Sequence, residues 1–401
     1  MDKHIPQGYK DSPLGIIPKE WEVKRLGDVC TFLDSQRIPI KDADRGKMQG
    51  KYPYYGASGI IDYVNDYIFD DDLILLGEDG ANIIMRSTPL AFLVSGKVWI
   101  NNHAHVLKTK SGFSRYYVCN YLESLSYDKY NTGTAQPKLN REVCEKIPVL
   151  LPPKKEQNRL SELFTTWDTA IEKQSELIEK LKLRKRALMQ QLLTGKKRLP
   201  SFSREWKRIK LGDIAERITR KNEEDNKNVV TISAQRGFVV QTDFFNKSVA
   251  SETLDNYFLV QRDEFCYNKS YSNGYPMGAI KRLKSFDKAV VTTLYICFKL
   301  MNKVSVNIDF FEQYCESGIF NKELVKVANE GGRAHGLLNV TPSDFFNMHM
   351  RIPNIDEQNA IATVLVNADK EIELANEILS NLQSQKRGLM QQLLTGKKRI
   401  I

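Results

Sequence analysis

The sequence predicts an α+β chain in which two mixed α/β heads sit at opposite ends of an antiparallel two-helix coiled-coil spacer, related by a pseudo-two-fold. Three observations predict it. The string LMQQLLTGKKR occupies Leu188–Arg198 and returns at Leu389–Arg399, 201 positions later. That register extends without gaps from Leu151–Leu199 onto Ile352–Ile400, with 22 of 49 positions identical. The blocks between, roughly 30–130 and 215–330, show no such likeness. Internal duplication is decisive for architecture, and two like scaffolds carrying two unlike heads suggest one job done twice on different targets.

Taken in order, the expected parts are a first head at 1–150, a helical spacer at 151–199, a second head at 200–351 and a second spacer at 352–401. Each head opens alike, with EWEVKRLGDV at Glu20–Val29 and EWKRIKLGDI at Glu205–Ile214. A fainter echo closes each, TGTAQPKLN at Thr132–Asn140 against GGRAHGLLN at Gly331–Asn339. The spacers then read as long helices. Pro152 and Pro153 suit a helix start, and Asn354 with Glu357 resembles a capping box. Apolar residues follow at helical spacing: Phe164, Trp167, Ile171, Ile178, Leu181, Leu188 and Leu192, then Leu365, Ala368, Ile372, Ala375, Leu379, Leu382, Leu389 and Leu393. The alternation of threes and fours is a coiled-coil seam, interrupted at equivalent places by Lys185 and Lys386. Gly195 and Gly396 suit left-handed caps, with Lys-Lys-Arg after them at the negative end of the helix dipole.

About 42 residues give a rod of roughly 60 Å, and one exposed apolar stripe of that length needs a partner. A core helix or a homodimeric coiled coil would supply one. Pairing the two helices of one chain antiparallel supplies one too, and returns the chain end to the first head. Two half-sites on one DNA face need heads spaced in near-register with the ~34 Å helical turn.

Composition bounds the function. Hydrophobic residues are 41% and charged residues 27%, values of a folded chain. The net charge of +10 favours a polyanionic partner. The first twenty residues hold no apolar run, so no secretory leader is expected, and no stretch reaches the ~20 residues of a membrane span. Six cysteines without CxxC spacing read as reduced thiols of a cytoplasmic protein. No GxxxxGK loop, no GxGxxG opening a βαβ unit and no Asn/Asp-Pro-Pro-Tyr/Phe stretch occurs, so the chain is expected to be non-catalytic.

With LPPKKEQN and IPNIDEQN opening the repeats, LMQQLLTGKKR closing them and W…LGD introducing each block, the chain resembles the specificity (S) subunit of type I restriction–modification systems along essentially its whole length. The resemblance implies that the unlike blocks are target recognition domains, each reading one half of a split double-stranded DNA sequence. It implies that the helices form the spacer and dock two modification (M) subunits, which bring S-adenosylmethionine and adenine methylation. Restriction (R) subunits would bring ATP, Mg and cleavage. No cofactor is expected on this chain, no metal and no membrane. Two readings stand beside it: a coiled-coil adaptor that does not bind DNA, and a self-contained DNA methyltransferase or nuclease.

Base reading calls for polar side chains at groove edges and cations on phosphates. In the first head the candidates are Lys51, Tyr54 and Ser58 in GKYPYYGASG, Asn101, Asn102 and His103 in VWINNHAHVL, and Thr134, Gln136 and Lys138 in the closing loop. Packed tyrosines and a satisfied polar loop compete with those readings. Glu78 and Asp79 are expected as solvated turn carboxylates, and the HxH pair His103 and His105 lacks a clustered carboxylate or cysteine to make a metal site. In the second head the candidates are Arg236 beside Gln235, then Asn268, Lys269, Ser270, Tyr271 and Asn273 in YNKSYSNGYP, and Arg333 and His335. The basic run Leu183–Lys210, ten Lys and Arg against Glu205, is a solvated helix end, a phosphate contact or a docking surface. Gln190, Gln191, Gln391 and Gln392 are the candidates for docking M subunits.

Overall fold

Both repeats form single uninterrupted helices of 39 residues, Lys154–Leu192 and Ile355–Leu393. In this computed structural model the residues described are 5–241, 254–302, 305–330 and 338–400, so Arg333 and His335 lie outside them. The chain forms two compact units, one of residues 1–175 with 377–401 and one of residues 176–376. Each unit therefore holds one head, the start of one long helix and the end of the other.

Within each unit the helices run antiparallel, because partner numbers fall as residue numbers rise. In the first unit Lys386 pairs with Asp168 and Arg399 with Glu156. In the second, Lys185 pairs with Asp369, Arg184 with Glu371 and Arg198 with Glu357. The lysines that interrupt the apolar seam thus meet the duplicated aspartates, a polar pairing at a seam position that favours one register. The seam residues do pack: Phe164 and Leu365, at equivalent positions, are fully buried in the cores of their units.

The duplicated motifs build one joint twice. Glu156 accepts from Trp21 Nε1 at 3.1 Å and from Arg399 Nη2 at 2.9 Å. Glu357 accepts from Trp206 Nε1 at 3.2 Å and from Arg198 Nε and Nη2, each at 2.6 Å. Both carboxylates are buried, and a buried charge persists only when it is paired and hydrogen-bonded. The glutamines beside them are committed as well. Gln157 takes the backbone N–H of Ser114 and donates to Pro152 O; Gln358 takes that of Asn307 and donates to Pro353 O. Ser114 and Asn307 cap the helices Arg115–Ser124 and Ile308–Glu316, so each head is fastened to the start of a long helix.

Gly195 (φ +69°) and Gly396 (φ +72°) end the helices in the left-handed conformation expected. A Cβ on Gly396 would lie 2.4 Å from Pro18 Cδ. The capping box at Asn354 is half formed: Asn354 Oδ1 takes the Glu357 N–H, but the Glu357 carboxylate is held by Arg198 and Trp206 instead.

The LGD segments serve the same joint. Leu26 and Leu211 are fully buried, and their N–H groups donate to Ile147 O and Met348 O. Strand Glu22–Arg25 pairs with Pro148–Leu151, and Lys207–Lys210 with His349–Ile352, both antiparallel.

Head one holds a six-stranded sheet in the order Cys30–Phe32, Ala104–Thr109, Phe69–Gly77, Ala91–Ile100, Gln49–Gly56, Gly59–Val64. Its central strand Phe69–Gly77 buries Leu73, Ile74, Leu75 and Leu76 completely, as a strand covered on both faces must. Head two holds four strands in the order Ala215–Ile218, Ile296–Leu300, Phe265–Asn268, Ala279–Arg282. Those four match the first four of head one in order and register. Leu75 faces Val106 in one head, Cys266 faces Cys297 in the other, and Leu76–His105 corresponds to Tyr267–Ile296. The blocks without sequence likeness share a sheet.

Candidate nucleic-acid interface

In head one, three separated segments meet where the central strand Phe69–Gly77 ends. Glu78 donates its N–H to His103 O and accepts the Leu139 N–H on its carbonyl, and Gly80 N–H reaches Pro137 O. The hairpin tip Ala57-Ser58 is the neighbour of that end: a Cβ on Gly77 would lie 2.9 Å from Ala57 O. The cluster therefore gathers Ser58, Asn102, His103, Thr134, Gln136 and Lys138, all exposed.

The loop 131–139 is held tightly at its base. Asn131 Oδ1 takes the N–H groups of Gly133 and Lys138, and Thr132 N–H donates to Lys138 O. A Cβ at Gly133 would lie 1.8 Å from Gln136 O, so only glycine fits this close approach. Thr134 and Gln136 stand at the exposed tip of a fixed loop.

Beneath the cluster lies an ion network that the sequence reading missed. Arg37 Nη1 donates to Glu78 Oε2 and to Ala104 O, each at 2.7 Å. Glu78 also faces Lys138 Nζ at 3.6 Å, and Asp79 holds His103 Nδ1 at 2.8 Å. Glu78 and Asp79 are thus paired carboxylates rather than solvated ones. His105, fully buried, places Nδ1 2.7 Å from Asp34 Oδ2 and Nε2 2.8 Å from Leu139 O. Burial alone would lower the imidazole, but the Asp34 carboxylate and the Cys144 thiol outweigh it and hold His105 at about 10. Asp34 is pushed up by burial and more strongly down by His105, the Val106 N–H and Arg37, ending below its ordinary value. The carboxylates absent around the HxH pair in sequence are therefore present in space, one for each histidine. Among the described residues no group of three His, Cys, Asp or Glu is placed to hold a metal.

Head two assembles the same end differently. Leu338 N–H donates to Lys269 O just as Leu139 N–H donates to Glu78 O, so Lys269 occupies the place of Glu78. Burial holds the Lys269 ammonium below the usual lysine range, and it has no carboxylate within ion-pair distance among the described residues. The turn at Ala234–Arg236 lies beside it, since Gln235 Nε2 donates to Asn273 O at 3.0 Å. Tyr271 and Asn273 are exposed there, and Ser270 is half-buried. A Cβ at Gly278 (φ +74°) would lie 2.2 Å from Asn268 O, which fixes the far side of this loop.

Three candidates are corrected. Tyr54 is a core residue packed with Val64 and Trp99, and its hydroxyl takes the Ile40 N–H. Asn101 is buried and its Oδ1 takes the His103 N–H, shaping the turn rather than facing solvent. Asn268 braces two segments, with Nδ2 on Ile232 O and Oδ1 on the Ser270 N–H. Lys51 is exposed but seven residues back along the strand from Ser58, stacked over Tyr52, and does not join the cluster. Gln190, Gln191, Gln391 and Gln392 are all exposed on the long helices.

The comparisons with known proteins bear on this geometry. The model of the type I restriction modification DNA specificity domain matches residues 18–183. A type I restriction enzyme specificity subunit of Methanocaldococcus jannaschii is 23% identical over 445 aligned residues, covering 100% of this chain and 98% of its own. The chain is thus similar to type I specificity subunits, to the domain model over residues 18–183 and to the M. jannaschii subunit over its whole length. A Haemophilus influenzae protein named for the same subunits is 30% identical over 145 residues, and that match spans 37% of its length. The S subunit of M. genitalium shares the fold, with a TM-score of 0.56 at 13% identity over 92% of this chain and 95% of that one. A second structure, concerned with complex assembly and conformational transition of the type I R-M system, gives 0.51 at 13% identity over 95% and 99%. The α+β class and the antiparallel helices agree with the sequence reading. Among the described residues no helix is long and apolar enough to cross a membrane.

Proposed function

We propose that this specificity subunit reads a bipartite, asymmetric double-stranded DNA target, one half with each head, and positions two M subunits and then R subunits on it. The observation that carries the reading is the exchange of side chains on one scaffold. The same strand end offers Glu78, His103 and Lys138 in head one and Lys269, Ser270 and Asn273 in head two. A scaffold that reads different base edges needs that exchange, because each base pair presents its own donor and acceptor pattern in the major groove. Ser58, Asn102, His103, Thr134, Gln136 and Lys138 are the base-reading set of head one. Arg236, Lys269, Ser270, Tyr271, Asn273, Arg333 and His335 are that of head two, and Lys51 serves phosphate. The net charge of +10 supplies sequence-independent attraction.

The exposed Gln190, Gln191, Gln391 and Gln392 form two equivalent patches for the M subunits. S-adenosylmethionine belongs to those subunits, and ATP with Mg to the R subunits, all in the cytoplasm. Co-expression with its host's M subunit, followed by mapping of adenine methylation, tests the reading. A split motif methylated only when both chains are present is expected. Methylation indifferent to this chain would leave the adaptor reading in its place. Insertion of whole helical turns near Met189–Leu193 should lengthen the gap between half-sites and leave their bases unchanged.

A further inference from the structure

We propose that His105 is the positioning residue that sets the reading loops of head one, tying the loop 131–139 to Asp34 beneath it; the inference rests on the DNA-reading function above. Both ring nitrogens face acceptors, the Asp34 carboxylate at 2.7 Å and the Leu139 carbonyl at 2.8 Å. A carbonyl and a carboxylate can only accept, so both nitrogens carry hydrogen and the ring is a buried imidazolium. The titratable and charged groups around it are Asp34, Glu78 with Oε2 at 3.8 Å, Arg37 and Lys138 through Glu78, and the neutral Cys144 thiol. The other Asp34 oxygen takes the Val106 N–H at 2.8 Å, so the ring is referenced to the sheet itself.

Leu139 is where the loop leaves the cluster. It is tied twice: its N–H to Glu78 O and its carbonyl to His105. Releasing the second tie leaves the loop held by Glu78, Gly80 and Asn131 but unreferenced to the sheet at Leu139, which shifts the chain carrying Thr134, Gln136 and Lys138. Placement errors of that kind matter, because a base contact works only within hydrogen-bond geometry. Head two retains the first tie, Leu338 N–H to Lys269 O, and has Ile296 where head one has His105. The imidazolium tie is therefore not required to build the sheet. Among the described residues it is a device of head one alone.

The test uses the complex with the M subunit and the double variant His105→Ile with Asp34→Thr; Ile296 and Thr219 stand at these places in head two, since Cys30 faces Thr109 as Ala215 faces Leu300. Removing both charges together leaves no buried unpaired ion. Binding is measured to the target and to duplexes carrying single base-pair changes in either half-site. Labelling of the buried Cys30, Cys119 and Cys144 reports whether head one stays folded. The expected result is a loss of about tenfold in discrimination in one half-site, with the other half-site and non-specific binding unchanged and the three thiols protected. Unchanged discrimination with protected thiols, or loss spread over both half-sites, would overturn the proposal. If the thiols become reactive, His105→Leu with Asp34→Asn, which keeps an acceptor for the Val106 N–H but gives Leu139 O no donor, is measured in its place and judged by the same two outcomes. A wild-type complex with no preference in either half-site would refute the DNA-reading function itself, which is a distinguishable failure.

Discussion

Head one and head two lay down the same four strands in the same order, yet they support the loops at the strand end by opposite means. Head one sets its loops on charges: His105 with Asp34, Arg37 with Glu78, Glu78 with Lys138. Head two replaces His105 by the buried Ile296 and Glu78 by Lys269, whose ammonium is partly desolvated and unanswered by a carboxylate among the described residues. The difference teaches where duplication stopped. What fastens head to helix is repeated almost atom for atom, and what faces outward has diverged in charge. On the proposed function, the joint sets geometry and the loops set preference.

The largest expected effects test the sameness of the joints. Glu156→Ala and Glu357→Ala each remove a buried carboxylate that pairs with an arginine and a tryptophan, and each should cost about 3–5 kcal/mol. Unfolding in denaturant measures both, and an effect in only one unit would break the equivalence. Phe164→Ala should cost about 3–5 kcal/mol and Leu365→Ala about 2–5 kcal/mol, because both side chains are fully buried.

Next comes pH, which should separate the heads. Folding raises His105, so its contribution is complete below the ordinary histidine value of 6.5 and is lost as pH climbs through about 10. Asp34 is lowered by folding and loses its share only on acidification, below its ordinary 3.8. Pulse labelling of Cys30, Cys119 and Cys144 against Cys266 and Cys297 should show head one loosening first as the solution is made alkaline. Simultaneous loosening would contradict the comparison. The smallest effect is expected from Lys386→Met and Lys185→Met, whose aspartate partners are half-exposed. Each should change stability by about 1 kcal/mol or less, equally in both units.

Much of this was legible in sequence because it is periodic or repeated. The seam through Phe164 and Leu365 and the left-handed glycines 195 and 396 follow from spacing, and the antiparallel pairing from the order in which heads and helices alternate. The role of Glu156 and Glu357 was in principle readable too, since Glu-Trp, EQN and KKR each occur twice. Nothing local, however, says that a helix start should hold an arginine from the end of another helix. The shared sheet of the two heads was hidden because inward positions tolerate exchange among apolar residues, such as Leu75 and Val106 for Cys266 and Cys297. Tyr54 and Asn101 misled for the converse reason. A polar side chain in a Gly-rich stretch looks available until the fold gives it a partner. His105 was invisible as a tie because Asp34, 71 positions away, becomes its neighbour only when the sheet closes.

The most direct test of the central claim exchanges residues 30–130 for the corresponding block of another specificity subunit and maps adenine methylation by the complex with its M subunit. The expected result is a split motif in which one half-site changes while the other half-site and the gap between them stay as they were. Changes in both half-sites, or in neither, would contradict the account of two separate readers on one repeated frame.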